Sequence, residues 1–146
     1  VGDIWYIAKP DYTLMVARAQ LVGNDSKNYI QTGEGTGKTF YLTDDRGRTL
    51  YAFAPDKENK NNYTKEDFSN DPTWPIYQKE AVALPSYVGK SLVKKINVFG
   101  KTQLTYKGWP LYYFGLDTKR GDTKGVNVPN FGVWPIVNAT TTAASK

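Results

Sequence analysis

Leu50-Tyr51-Ala52-Phe53 is answered by Leu111-Tyr112-Tyr113-Phe114, and Asp56 by Asp117, each 61 residues later. Trp74-Pro75-Ile76 returns as Trp134-Pro135-Ile136 at an offset of 60. Upstream, Leu42-Thr43 corresponds to Leu104-Thr105, and Gly47 to Gly108 after one gap. Ordered matches of this kind mark an internal repeat, in which neighbouring units bury each other's apolar faces. Each unit reads as a hairpin, a polar excursion and a Trp-led strand. In the second unit the hairpin turns at Lys107-Gly108, where glycine supplies the positive φ of a tight turn between aromatic and β-branched flanks.

The expected fold is all-β: an antiparallel tandem-repeat sandwich or barrel-like domain with long polar loops and little helix. The 146 residues suffice for a single domain, 1–146. Within it, 1–37 reads as the end of a preceding repeat plus a connector, with Trp5-Tyr6-Ile7-Ala8 resembling a closing strand and Gly23–Gly37 a polar loop. Residues 38–78 form the first unit, 79–94 a connector, 95–138 the second unit and 139–146 a flexible tail. Phe40–Thr43 and Thr49–Ala54 are expected to pair around Asp44-Asp45-Arg46-Gly47, and Thr64 to cap one helical turn. Val1 is then expected to lie near the end of an earlier unit. Strand parity places Tyr51, Phe53, Tyr112 and Phe114 on one side, and Leu50, Ala52, Leu111 and Tyr113 on the other. The expected repeat core is Leu50, Tyr51, Phe53, Trp74, Leu111, Tyr112, Phe114 and Trp134.

Residue usage narrows the chemistry. There is no Cys and no His, and one Met. The common ligands of zinc, copper, haem and iron–sulfur centres are missing, and so are Ser-His and Cys-His nucleophiles. Carboxylate, lysine or tyrosine chemistry and hard cations remain. No cofactor, metal site or catalytic residue is expected, and Asp56 and Asp117 are the carboxylates an enzyme would use. Charge is uneven: residues 1–78 hold 9 Lys+Arg against 11 Asp+Glu, while 79–146 hold 10 against 3, so the halves carry −2 and +7. Such lysines mostly solvate a surface, and no nucleic-acid partner is expected.

Leu104-Thr105-Tyr106-Lys107-Gly108-Trp109-Pro110-Leu111-Tyr112-Tyr113-Phe114, Asp117…Gly121-Asp122-Thr123-Lys124-Gly125 and Gly132-Val133-Trp134-Pro135 closely resemble the bacterial "secreted repeat of unknown function" lipoproteins. Asp44–Phe53 resembles the opening of the same repeat, and Trp5–Met15 the junction of multi-repeat, Bacteroidetes-type members. The resemblance implies an exported periplasmic or outer-membrane, cell-surface protein built from tandem repeats. It implies membrane contact only through an upstream lipid anchor, and no established catalytic residues. Association with respiratory gene sets is implied for some relatives. Family repeats often carry a Cys pair before the Trp-Pro element; Asn59–Thr73 has none, which counts against a disulfide or redox role there.

Other motifs are weighed on their context. Gly33-Glu34-Gly35-Thr36-Gly37-Lys38-Thr39 mimics a phosphate-binding loop, but Thr32 stands where the pattern needs glycine, and a strand-like run follows instead of a helix. Asp117 and Asp122 flank an Arg-Gly-Asp turn; Lys119 and Arg120 between them oppose Ca²⁺, so a turn held by Asp-to-backbone bonds is expected. Asn24, Asn62 and Asn138 fit the glycosylation pattern and mark turns.

Three functions stay open. The first is a non-enzymatic interaction module or accessory subunit holding another envelope protein or complex. The second is a glycan-binding module using exposed rings of Trp109 and Tyr113 with Lys107 and Lys119. An enzyme ranks last.

Overall fold

The computed structural model describes residues 12–79, 82–85 and 88–146. The segment Trp5–Ala8 lies outside them. Among the described residues seven strands form two antiparallel sheets: β1 (Met15–Val22), β2 (Asn28–Ile30), β3 (Gly33–Glu34) and β4 (Lys38–Thr43) in one, and β5 (Val93–Val98), β6 (Lys101–Tyr106) and β7 (Trp109–Pro110) in the other. Their orders are β3-β2-β1-β4 and β5-β6-β7. Among the described residues helix is confined to short 3-10 turns at Lys90–Leu92 and Lys124–Asn127. The fold is all-β, and it is not a closed barrel.

The turns form where glycine and Asx chemistry place them. Asp44 Oδ1 accepts the Arg46 and Arg48 amides, each at 2.9 Å, and Leu50 N donates to Leu42 O at 3.1 Å, closing the first hairpin. In the second, Tyr106 pairs with Trp109 across Lys107 and Gly108, which have φ of 52° and 83°. Leu111 N donates to Leu104 O at 3.0 Å, the counterpart of the Leu50 bond.

The core is built on exchange between the two matching segments. Tyr51 and Tyr112 trade backbone bonds, N to O, at 2.8 and 2.9 Å. Ala52 N donates to Pro135 O at 2.9 Å, and Tyr113 N to Pro75 O at 2.7 Å. Each Trp-Pro segment therefore lies along the other segment's hairpin. Leu42 N donates to Val137 O and Leu104 N to Tyr77 O, at 2.8 and 3.0 Å. Neither Trp-Pro segment forms a continuous ladder, because Pro75 and Pro135 have no N–H to give; both act as isolated bridges. The expected strands Trp74–Gln78 and Val133–Val137 are in this respect shorter than their sequences imply.

Side-chain parity then separates two clusters. Tyr51, Trp74, Tyr112, Phe114 and Trp134 are buried together, with Phe53 half-buried against them. Leu50, Ala52 and Leu111 fall in the second cluster, with Tyr113 at its margin. The indoles of Trp74 and Trp134 stack at 3.9 Å and 5°. Tyr51 meets Trp74 edge-on at 5.3 Å, and Tyr112 meets Trp134 at 4.9 Å. Phe114 lies over Trp74 and Phe53 over Trp134, both at 4.4 Å. Each tryptophan thus has a tyrosine edge and a phenylalanine face, with a second edge on Trp134 from Tyr63 at 4.9 Å, an arrangement aromatic quadrupoles favour.

Three expectations need correction. Residues 23–37 are not wholly loop: β2 and β3 lie there, because Tyr29 is buried and its neighbours pair with β1. Thr64 caps no helix: Phe68 N bonds Lys65 O at 2.9 Å in a single turn, and Asn61 Oδ1 takes the Tyr63 and Thr64 amides. The segment 139–146 is not frayed: Glu58 N donates to Ser145 O at 2.8 Å, Ala144 N to Lys107 O at 2.9 Å, and Ala144 is buried.

Candidate functional site

The polar groups at the centre follow the same exchange. Tyr51 Oη donates to Asp117 Oδ2 and Tyr112 Oη to Asp56 Oδ2, both at 2.7 Å. The other carboxylate oxygens are also taken: Asp56 Oδ1 accepts the Asn62 amide at 2.6 Å, and Asp117 Oδ1 the Lys124 amide at 2.9 Å. Gly125 N donates to Tyr51 Oη at 3.1 Å. A glycine is required there, since a Cβ would stand 2.6 Å from the Trp74 ring and 2.9 Å from Tyr51 Cζ.

Burial is the leading influence on these acids. It pushes Asp56 up to about 6, against the opposing bonds from Tyr112 and Asn62. Asp117 is raised for the same first reason, opposed by Tyr51 and Lys124. Tyr51 and Tyr112 are held far above the usual phenol range by burial and by the facing carboxylates. At neutral pH the phenols stay protonated and donate. Both carboxylates are therefore sealed, fully partnered, and committed to joining the segments.

The residues expected to bind a ligand lie elsewhere, Lys107 and Trp109 both against the C-terminal segment. Lys107 Nζ donates to Ala139 O at 2.6 Å and Thr141 O at 3.0 Å. Trp109 is half-buried, with its Nε1 donating to Thr142 O at 2.8 Å. Tyr113 is half-buried too: its hydroxyl donates to Asp44 Oδ2 at 2.7 Å, and the Arg48 guanidinium lies 4.2 Å over its ring. Neither ring is the exposed platform expected of it. Lys119 is exposed on a turn where Asp122 Oδ2 accepts the Thr118 and Lys119 amides at 2.9 and 3.2 Å. Asp117 points inward to Tyr51, so the two carboxylates of that turn diverge.

Deleting residues 139–146 should remove the acceptors of Lys107 and Trp109 together with three backbone bonds. The expected loss is about 2 kcal/mol, at roughly 1 kcal/mol or less per exposed bond. The urea midpoint, followed by tryptophan fluorescence, measures it.

The exposed features that residue patterns did not single out lie on other faces. Phe40 is 55% exposed beside a groove of about 580 Å³, whose lining includes Val16, Gln31, Asn138 and Thr140. Strand alternation was the available signal, since Tyr41 turns into the core and Phe40 must face outward. A second groove, of about 700 Å³, runs beside β5 and includes Leu84, Val88 and Lys94.

Fold and centre together define an all-β domain closed by exchanged segments around a sealed aromatic–carboxylate interior. From the end of β5 through the Trp134 segment, residues 97–138, the chain matches the family described as "Secreted repeat of unknown function". That stretch contains the second hairpin, Asp117 and Trp134; the first hairpin lies outside it. No curated protein and no solved structure matches the chain.

Proposed function

We propose that this chain is an exported, non-enzymatic envelope module made of two interlocked tandem repeats. In this reading it is carried on a lipoprotein anchored upstream. It serves as an interaction subunit for another envelope protein or complex, respiratory complexes being the first to test. The observation that supports it best is the reciprocal Tyr51–Asp117 and Tyr112–Asp56 pairing. A hydrolase would keep such carboxylates open to substrate and water, at a separation suited to acid and nucleophile. Here each is closed off by a phenol and a backbone amide. The family description supports export, and it connects the family with no reaction.

Purification from native membranes under mild detergent tests the reading. A partner retained in stoichiometric amount through gel filtration is the expected result; a chain that elutes alone from every preparation rejects it.

A glycan-binding role has one observation in its favour. The Phe40 groove sets an exposed ring beside the side chains of Gln31, Asn138 and Thr140, a pairing of apolar face and amide or hydroxyl edge that suits a sugar. Trp109, Tyr113, Lys107 and Lys119 support that role less well, because the Trp109 and Tyr113 rings are half-buried whereas Phe40 is exposed; the groove's own Gln31, Asn138 and Thr140 also bond one another. On a glycan array, binding lost in Phe40→Ala and retained in Trp109→Ala favours the groove. The opposite pattern favours the Trp109 surface.

A further inference from the structure

The chain makes the same two-residue turn twice, and only one copy has an internal reason for its residues. At Lys107-Gly108 the first position takes φ of 52°. A long side chain disfavours this left-handed region, which Asn, Asp or Gly fill at low cost. Lys107 offsets that cost by donating to two carbonyls of the C-terminal segment. At the tip joining β5 to β6, Phe99 and Gly100 take φ of 48° and 92°. Phe99 is 54% exposed, and among the described residues its ring meets an edge of Phe68 at 6.3 Å. Gly100 N is already served by Asn97 Oδ1 at 3.1 Å, so the turn does not need the ring. Here a bulky apolar residue occupies a strained backbone position and leaves most of its surface in water.

The hairpin that carries the ring is basic. Residues 93–106 hold Lys94, Lys95 and Lys101 and no Asp or Glu, with Lys101 next to the tip. Lys94 and Lys95 are exposed on β5 and Lys101 on β6, where it pairs with Val98 and reaches over the Phe68 ring at 4.2 Å. The neighbouring loop that holds Phe68 carries two exposed acids, Glu66 and Asp67, so the basic character belongs to the hairpin itself.

We propose that the Phe99-Gly100 tip is a membrane-docking element, in which the ring enters the interfacial layer of an anionic bilayer while lysines of β5 and β6 meet lipid phosphates. A ring at the end of a two-residue turn can penetrate between headgroups without moving the strands behind it. Basic side chains on both strands supply the electrostatic attraction that a single aromatic needs at an anionic surface. This contact goes beyond the interaction role proposed above and stands apart from any upstream lipid.

The test uses the whole 146-residue chain and vesicles of mixed phosphatidylglycerol and phosphatidylcholine, with Phe99→Asn as the variant. Asparagine suits the left-handed position, so the variant should melt at the same temperature as wild type or higher. It should bind the vesicles roughly tenfold more weakly, the scale of one apolar side chain removed from the interface. Raising salt from about 50 to about 300 mM should weaken wild-type binding. Vesicles left unbound at low salt, as expected if the tip serves a protein partner instead, overturn the proposal. Equal binding by the variant overturns it as well, and so does a variant that melts lower, which would make the ring structural.

Discussion

Trp134→Ala is expected to destabilise the domain by about 4 kcal/mol, within the range for deleting a fully buried aromatic. The effect is large because the indole is shared. It stacks on Trp74 at 3.9 Å, carries Phe53 on a face at 4.4 Å, and receives the edges of Tyr112 and Tyr63, both at 4.9 Å. Its Pro135 carbonyl holds Ala52 of the other hairpin, so loosening this segment also loosens the exchange. Chemical denaturation followed by circular dichroism gives the number. A midpoint equal to that of the wild type would mean that the two indoles do not close the core.

Tyr112→Phe should cost about 3 kcal/mol at pH 7, the range for leaving a buried charged acceptor unsatisfied. The ring and its packing stay, but Asp56 Oδ2 loses its donor at 2.7 Å. The pH dependence carries a sign that separates this account from simple loss of packing. Asp56 sits at about 6 in the folded protein against its ordinary 3.8, raised first by burial. A carboxyl raised on folding is more protonated in the folded than in the unfolded chain across that interval. Its favourable contribution is complete below about pH 4 and is lost as pH climbs through about 6. Without the Tyr112 bond the folded value rises further. The gap between wild type and Tyr112→Phe should therefore be small near pH 4 and widen towards pH 8. Urea midpoints across that range read it directly; a gap independent of pH would remove Asp56 from the explanation.

Much of the architecture was legible in residues, for reasons of period and turn chemistry. Alternation along Leu50–Phe53 and Leu111–Phe114 is enough to divide side chains between two faces, because a strand has a period of two. Asp44 with Gly47, and Lys107 with Gly108, announce turns since few other residues adopt those angles so cheaply. Strands β2 and β3 were harder to see. Their glycines and polar residues give no alternating pattern, and only Tyr29, buried against β1, makes that stretch worth pairing. The 139–146 segment was harder still, because it docks largely through carbonyls that Lys107 and Trp109 use, and a carbonyl is the same in every residue.

The candidate sites divide in the same way. Trp109, Tyr113 and Lys107 have the composition of a binding surface, yet composition does not reveal whether a ring face or an ammonium is already occupied. Asp56 and Asp117 stand at matching positions in the duplicated segments, but that correspondence leaves their partners undetermined.

By itself the sequence determined an all-β chain of two matching stretches, hinged at glycine and aspartate turns and lacking histidine and cysteine. These follow from local sterics and residue chemistry, which act over a few positions. Only the tertiary structure decided that each Trp-Pro segment lies on the other stretch's hairpin, and that each tyrosine bonds the other stretch's aspartate. Hydrogen bonds and stacking depend on distance in space, and two equivalent partners a repeat apart look identical until the chain has folded.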